Sequence, residues 1–212
     1  MIYYVCKYAP VELFKGFGQE CAVLEEMPEN FDKSDKIAHA NLCGFGKSVI
    51  QAVLEGKVEE LVLVNCCDSM RRVYDIIENT GKCRFLYMLD LPHEDNECEN
   101  IKFAQSILRL KKAYERYSQR KFDRELFIKS FTQPQQERKP YIGLLGVHVS
   151  SILEKTIREN MQMNVENMTC TSGRNLIILQ KDLRNMDEET MFLAYAESLL
   201  GQMPCARMNN NT

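Results

Sequence analysis

The stretch LVLVNCCDSMRRVYD (residues 61–75) joins a short apolar run to a segment with helical periodicity. The run over residues 61–64 is continuous and rich in branched side chains, which is typical of a strand buried on both faces. Asp68 is a natural N-cap for the helix that follows, and Gly81 supplies a C-terminal stop. The stretch therefore predicts a strand, a tight turn and a helix over residues 69–79, which is the repeating unit of parallel sheets.

The same alternation continues in both directions along the chain. Apolar runs at residues 85–89 and 141–146 are similar to the run at 61–64, and helical periodicity covers residues 45–55 and 100–121. Apolar strands that alternate with helices indicate a parallel sheet covered by helices. The sequence therefore predicts an α/β fold.

A polar, proline-flanked run, TQPQQERKP (residues 132–140), is the best candidate for a domain boundary, and a helix over residues 124–131 precedes it. We predict an N-terminal α/β domain over residues 1–133, a linker over 134–140, and the first part of a second α/β domain over 141–212. The further elements expected in the second part are a helix near 149–161, a β segment near Val165, a short strand over 175–179 and a helix over 188–200.

The composition restricts the classes of protein to be considered. The 212 residues include 27 Lys and Arg against 30 Asp and Glu, for a formal charge of −3. This balance provides no positive patch for nucleic acid or for an anionic membrane surface. The N-terminus does not have the pattern of a signal peptide, and the apolar runs are too short to span a membrane. We therefore predict a cytoplasmic protein that binds neither nucleic acid nor membrane.

The content of nine cysteines is unusual for such a protein. An odd number cannot be fully paired within one chain, and cytoplasmic thiols are kept reduced. Cysteine enrichment in that compartment indicates metal binding or redox chemistry. No two cysteines have Cys-x-x-Cys spacing, so the sequence contains no local zinc or ferredoxin motif.

Cys43 and Cys67 occupy the positions where ligands bind in parallel α/β folds. Each directly precedes a predicted helix, and Cys67 also follows a predicted strand. A thiolate at a helix N-terminus is stabilised by the helix dipole, so the pair could point at one metal centre. The alternative is that both are small buried hydrophobic residues, as most free cysteines are. Cys66 would point to the opposite face from Cys67 if the strand continued that far.

Other side chains give weaker signals. The segment GFGKS (residues 44–48) is similar to the end of a phosphate-binding loop, but the first glycine of that motif is absent. The histidines His39, His93 and His148 share no spacing with each other or with a nucleophile, which favours structural or exposed roles. Arg71 and Arg72 could meet an anionic ligand or could simply be solvated.

Several motifs, in order, resemble those of the 2-hydroxyacyl-CoA dehydratase family, which includes the D-component of 2-hydroxyglutaryl-CoA dehydratase and subunits of benzoyl-CoA reductase. The most specific is CDSMRRVYD (residues 67–75). The others are YAPVEL (8–13), LCGF (42–45), LDLP (89–92), GR (173–174) and PCARM (204–208).

The resemblance implies flavodoxin-like or Rossmann-like domains with a [4Fe–4S] cluster between them, for which Cys43 and Cys67 match two ligands. It implies a lyase of anaerobic metabolism that works with a second dehydratase subunit. An ATP-dependent iron–sulfur activator delivers one electron to a 2-hydroxyacyl-CoA substrate, the resulting ketyl radical loses the 2-hydroxyl group, and a 2-enoyl-CoA forms. Glu12 and Ser69 are weak candidates for contact with substrate, as is Ser48.

The family's third cluster cysteine follows the motif that here ends at Met208, so we expect a chain that is truncated at its C-terminus. Cys205 matches a different motif and is not assigned as a ligand. Three alternatives stay open at this point. They are a reductase of an aromatic acyl-CoA or other small molecule within the same family, a non-catalytic α/β binding module, and a flavodoxin-like nucleotide-binding domain.

Overall fold

The computed structural model describes residues 1–25, 28–131, 140–146, 148–174, 176, 178, 180–202, 204, 205 and 208. Strands and helices alternate along the first half of the chain. In order, they are β1 (Ile2–Tyr4), α1 (Val11–Lys15), β2 (Cys21–Val23), α2 (Gly44–Leu54), β3 (Glu60–Val64), α3 (Asp68–Thr80), β4 (Phe85–Leu89), α4 (Glu97–Ser118) and α5 (Arg124–Lys129). The described remainder adds β5 (Tyr141–Leu144), α6 (Ser151–Asn160), β6 (Asn164–Asn167), α7 (Gln180–Arg184) and α8 (Glu188–Leu200).

The strands β1 to β4 form a parallel sheet in the order β2-β1-β3-β4. Within it, Tyr3 of β1 pairs with Ala22 of β2 on one side and with Leu61 of β3 on the other. The chain therefore moves first to one side of β1 and then to the other, as in the doubly wound, flavodoxin-like strand order. This arrangement confirms the predicted α/β class.

The strands differ in how clearly the sequence predicts them. All four residues of the predicted strand at 61–64 are completely buried within β3, as their continuous apolar run indicates. The sequence pattern predicts neither β1 nor β2. Each has three residues, which is too short for an apolar run or an alternating pattern to stand out.

The start of α3 corrects one detail of the prediction, because its N-cap is Cys67 and not Asp68. The backbone of Cys67 is extended, and its carbonyl oxygen accepts a hydrogen bond from the Met70 N–H at 3.1 Å. Asp68 is instead the first helical residue. Its exposed carboxylate lies beside the positive end of the helix, where acidic side chains are also favoured.

Other element bounds shift by a few residues. The long helix α4 begins at Glu97 because the Asn96 side chain accepts a hydrogen bond from the Glu99 N–H at 3.0 Å and caps it. The short helices α1 and α7 were not predicted, whereas α8 has the predicted bounds. The predicted strand at 175–179 is not found at its described residues, Leu176 and Ile178.

The hydrophobic core contains side chains from the early and the late segments of the chain. α8 lies against α4, and its buried Phe192 and Tyr195 contact Phe127 of α5, with ring centroids 5.4 and 5.2 Å apart. Side chains from both sides of the predicted linker therefore share one hydrophobic core. Residues 134–139 of that linker lie outside the described residues.

A second, smaller unit consists of the parallel pair β5-β6 and the helix α6 between them. None of the ten residues of α6, all of which are described, is buried. Ile152 and Leu145 are each at least 75% exposed. This unit therefore adds little apolar burial to the molecule. None of the described helices is both long enough and apolar enough to cross a membrane.

Candidate functional site

The candidate site lies at the carboxyl edge of the four-stranded sheet. Because the strands are parallel, the loops that follow them all emerge at this edge. The strand order reverses between β1 and β3, and ligands of open α/β sheets bind at such a point. The segments after β1, β2 and β3 carry the thiols of Cys6, Cys43, Cys66 and Cys67.

Cys43 is held at the start of α2. It is the N-cap residue, with an extended backbone, and its thiol accepts a hydrogen bond from the Gly46 N–H at 3.4 Å. Its side chain is nevertheless exposed. Gly46 allows α2 to approach α3 closely, because a Cβ atom there would lie 3.0 Å from a methyl group of Val73. The glycine therefore brings the first turn of α2 against the flank of α3.

Cys67 occupies the equivalent place at the start of α3 and is partly buried. β3 ends at Val64, so residues 65–67 form a loop and the alternation of side chains no longer applies to Cys66. The thiols of Cys66 and Cys67 hydrogen-bond to each other, and this bond together with burial raises the pKa of Cys66. The condition under which Cys66 would face away from Cys67, a strand that continues to Cys66, is therefore not met.

A further group of thiols is buried near Cys66, and two of them, Cys6 and Cys170, also raise the pKa of Cys66. Cys6, Cys170 and Cys205 are each at most 6% exposed. A hydrogen bond from the Cys170 thiol lowers the pKa of Cys6. The Lys7 ammonium group is buried beside these thiols, and desolvation lowers its pKa. Sequence spacing could not reveal this group, because its members come from three distant segments.

Glu12 belongs to a buried polar network. Its carboxylate forms an ion pair with Arg174 and accepts a hydrogen bond from the Tyr195 hydroxyl at 2.6 Å. The same guanidinium group donates to the carbonyl oxygens of Lys7, at 2.7 Å, and Ala9. Arg174 thus fixes the loop after β1 and connects it to α8. The Glu12 carboxylate therefore binds side chains of the protein itself.

The serine candidates have different surroundings. Ser69 lies in the first turn of α3, next to Cys67, and is partly exposed. Ser48 is buried and donates a hydrogen bond to the Gly44 carbonyl oxygen at 2.9 Å. Lys47 of the same segment forms an ion pair with Asp35 at 2.8 Å. The GFGKS segment is thus the first turn of α2, and its side chains contact the protein itself.

His148 approaches the same region from the loop before α6. Its imidazole ring lies against Phe45 of α2, with 4.1 Å between ring centroids. Its Nε2 atom is buried and has no hydrogen-bond partner among the described residues. Burial lowers the pKa of His148. No sequence signal indicates this contact, because about a hundred residues separate the two rings.

The thiols of this site meet only part of what an iron–sulfur cluster requires. Cysteine thiolates are the ligands that such clusters prefer, and a [4Fe–4S] cluster commonly takes four. All nine cysteines lie in the described part of the chain. Within that part, no three His, Cys, Asp or Glu side chains are arranged to hold a metal ion. The thiols of Cys43 and Cys67 fit the cluster in their chemistry, and no metal-holding group of three side chains includes them among the described residues.

Comparison with known proteins gives a family match over most of the chain. Residues 6–144 match the family described as 2-hydroxyglutaryl-CoA dehydratase, D-component. The matched region contains Glu12, Cys43 and Cys67 and ends with β5, before Arg174. No curated protein sequence matches the chain.

Proposed function

This chain belongs to the 2-hydroxyglutaryl-CoA dehydratase D-component family, and we propose that it is an iron–sulfur component of a 2-hydroxyacyl-CoA dehydratase. The proposed reaction is the elimination of water from a 2-hydroxyacyl-CoA to give a 2-enoyl-CoA. It requires a second dehydratase subunit and an ATP-hydrolysing iron–sulfur activator. Cys43 and Cys67 are the cluster ligands that this chain contributes.

The placement of the two thiols is the observation that supports this proposal. Cys43 and Cys67 are the N-cap residues of α2 and α3, two helices that contact each other at the carboxyl edge of the sheet. The positive ends of both helices stabilise thiolates, the form in which cysteine binds iron. The Gly46 N–H donates a hydrogen bond to the Cys43 sulfur, and such hydrogen bonds orient the ligands of a metal site.

A [4Fe–4S] cluster, when bound, supplies one-electron transfer at low potential. The chain's own residues would hold and orient it. The carboxyl edge offers thiols from the segments that follow β2 and β3, and each of these segments ends at the start of a helix. Ser69, one residue into α3 beyond Asp68, is the candidate for contact with the thioester substrate, because it lies at the same edge and is partly exposed.

Anaerobic reconstitution with iron and sulfide tests the ligand assignment. We expect the wild-type chain to bind iron and labile sulfide and the Cys43→Ser/Cys67→Ser variant to lose both. The control is Cys21→Ser/Cys83→Ser, which also replaces two free thiols, both partly buried, but at the amino end of the sheet. Equal iron binding by wild type and the Cys43→Ser/Cys67→Ser variant would refute the proposed ligands and favour a binding module without a cluster.

Product analysis tests the reaction. The reconstituted chain is incubated anaerobically with its partner subunit, activator, ATP and candidate acyl-CoA thioesters. We expect a 2-enoyl-CoA from a 2-hydroxyacyl-CoA. A reduced ring from an aromatic acyl-CoA would identify the reductive branch of the family instead.

A further inference from the structure

We propose that Cys6 and Cys170 form a reversible disulfide bond when the folded protein meets a hydroperoxide, and that this bond locks the segment after β6 onto the loop after β1. The inference is independent of the proposed iron–sulfur function, because neither thiol is a proposed cluster ligand. The two cysteines lie far apart in the sequence, so the fold is what brings them together.

The backbone segments that carry the two cysteines are already joined. The Lys7 N–H donates a hydrogen bond to the Cys170 carbonyl oxygen at 2.9 Å. From the same late segment, the Arg174 guanidinium group donates to the carbonyl oxygens of Lys7 and Ala9. Chain segments joined by backbone hydrogen bonds lie about 4.8 Å apart, and disulfide bonds span Cα separations of about 4.4–6.8 Å. The segment that carries Cys170 is therefore held against the loop that carries Cys6, at a spacing that suits a disulfide.

The thiols are also in contact. A hydrogen bond joins the thiols of Cys6 and Cys170, and another joins those of Cys170 and Cys205. All three side chains are buried. A bond between Cys6 and Cys170 therefore needs a movement of two neighbouring side chains and no rearrangement of the sheet.

Cys6 is the thiol that reacts first. The hydrogen bond from Cys170 lowers the pKa of Cys6, and the Lys7 ammonium group acts in the same direction. The Cys6 thiolate, which is the nucleophilic form, attacks one oxygen of the hydroperoxide. The O–O bond breaks, Cys6 becomes a sulfenic acid, and the other oxygen leaves as an alcohol, or as water from hydrogen peroxide. The Cys170 sulfur then attacks the Cys6 sulfur, the S–O bond breaks, and a second water leaves with the proton of the Cys170 thiol. Two electrons have passed from the two thiols to the peroxide.

Access to the pair comes from the smaller unit of the fold. Cys170 follows β6, in the unit where every residue of α6 is at least partly exposed. Parts of a protein that bury few apolar side chains open locally at low free energy, so a molecule as small as hydrogen peroxide can reach the two thiols. Once formed, the bond opposes further opening of this segment from the loop after β1.

Peptide mapping without reduction tests the inference. The wild-type chain, freed of metal with a chelator, is treated with hydrogen peroxide, alkylated and digested. We expect a peptide with Cys6 linked to one with Cys170, at a mass about 2 Da below the sum of the two because two hydrogen atoms are lost. Cys43 and Cys98 are exposed and also meet the oxidant. The readout is therefore the identity of the linked peptides and not the number of free thiols.

Cys205→Ala is the matched control, because it removes a similarly buried thiol of the same group. It should keep the link between Cys6 and Cys170, whereas peroxide treatment in concentrated urea should not produce that link. The oxidised wild-type chain should melt at a higher temperature than the reduced chain, because the bond constrains the unfolded state, and dithiothreitol should reverse the shift. Cys170→Ala, verified as folded by far-UV circular dichroism, should show no such shift.

Several results would overturn the inference. Equal formation of the link in urea would mean that the fold does not direct it. Linkage of Cys6 mainly to another thiol, conversion of Cys6 to a sulfinic acid without a disulfide, or no reaction of Cys6 would each exclude the proposed pair. A melting temperature that falls on oxidation would exclude a lock. Iron binding by Cys43 and Cys67 is measured separately by reconstitution, so these results leave the proposed function untouched.

Discussion

Arg174 is a largely buried charged residue that connects segments far apart in the chain. Its guanidinium group pairs with Glu12 in the interior and holds two carbonyl oxygens of the loop after β1. Through Tyr195, which also bonds to Glu12, the network reaches α8. A residue late in the chain therefore fixes the loop from which the candidate site is built.

Replacing Arg174 with alanine should lower the free energy of unfolding by about 3–5 kcal/mol, because the Glu12 carboxylate would remain buried without its partner. Urea denaturation measures the change. The control is Arg184→Ala, which removes a half-exposed ion pair with Glu125 and should cost about 0–1 kcal/mol. If the two variants were equally stable, the Glu12–Arg174 pair would have no special structural role.

His148 gives a prediction about pH. Burial lowers its pKa below the ordinary value of 6.5, so the unfolded chain binds this proton more readily than the folded chain does. The stability that depends on neutral His148 is therefore complete above pH 6.5 and decreases as the pH falls below that value. In urea denaturation at about pH 7 and pH 5.5, His148→Gln should lose less stability on acidification than wild type. An identical pH dependence in both proteins would contradict this.

At the scale of elements, the contact between α2 and α3 determines how the two candidate ligands are placed. Gly46→Ala should destabilise the protein by about 1–3 kcal/mol, because the new methyl group would press on the completely buried Val73. Gly44→Ala, in the same turn but facing open space, should be neutral or stabilising by up to about 1 kcal/mol. Thermal unfolding compares the two. Equal effects would show that helix propensity, and not the α2–α3 contact, governs this turn.

The elements also show what sequence patterns can and cannot reveal. The runs that became β3, β4 and α8 are long and apolar enough to predict from periodicity. β1 is central to the sheet but has three residues, so its position depends on pairing with β2 and β3 rather than on its own pattern. Cys43 and Cys67 could be singled out because each precedes a helix. The partners of Glu12 could not be predicted from the sequence, because more than 160 residues separate Glu12 from Arg174 and Tyr195.

At the scale of the whole molecule, the described parts differ in how much apolar surface they bury. α8 contributes six buried residues and shares the core with α4 and α5. α6 contributes none. Because local opening is easiest where few apolar contacts are lost, α8 should unfold only with the main sheet, whereas α6 should open separately at a lower free energy.

Hydrogen exchange followed by mass spectrometry tests this division. Amides of α4 and α8 should exchange at the same, slowest level, and those of α6 should exchange faster. Phe192→Ala should reduce global stability by about 3–5 kcal/mol and speed exchange in both α4 and α8. Ile152→Ala, at a site 79% exposed, should change global stability by less than about 0.5 kcal/mol. If α8 exchanged together with α6 instead, the prediction would be wrong. The contacts of Phe192 and Tyr195 with the core would then not be what determines when α8 unfolds.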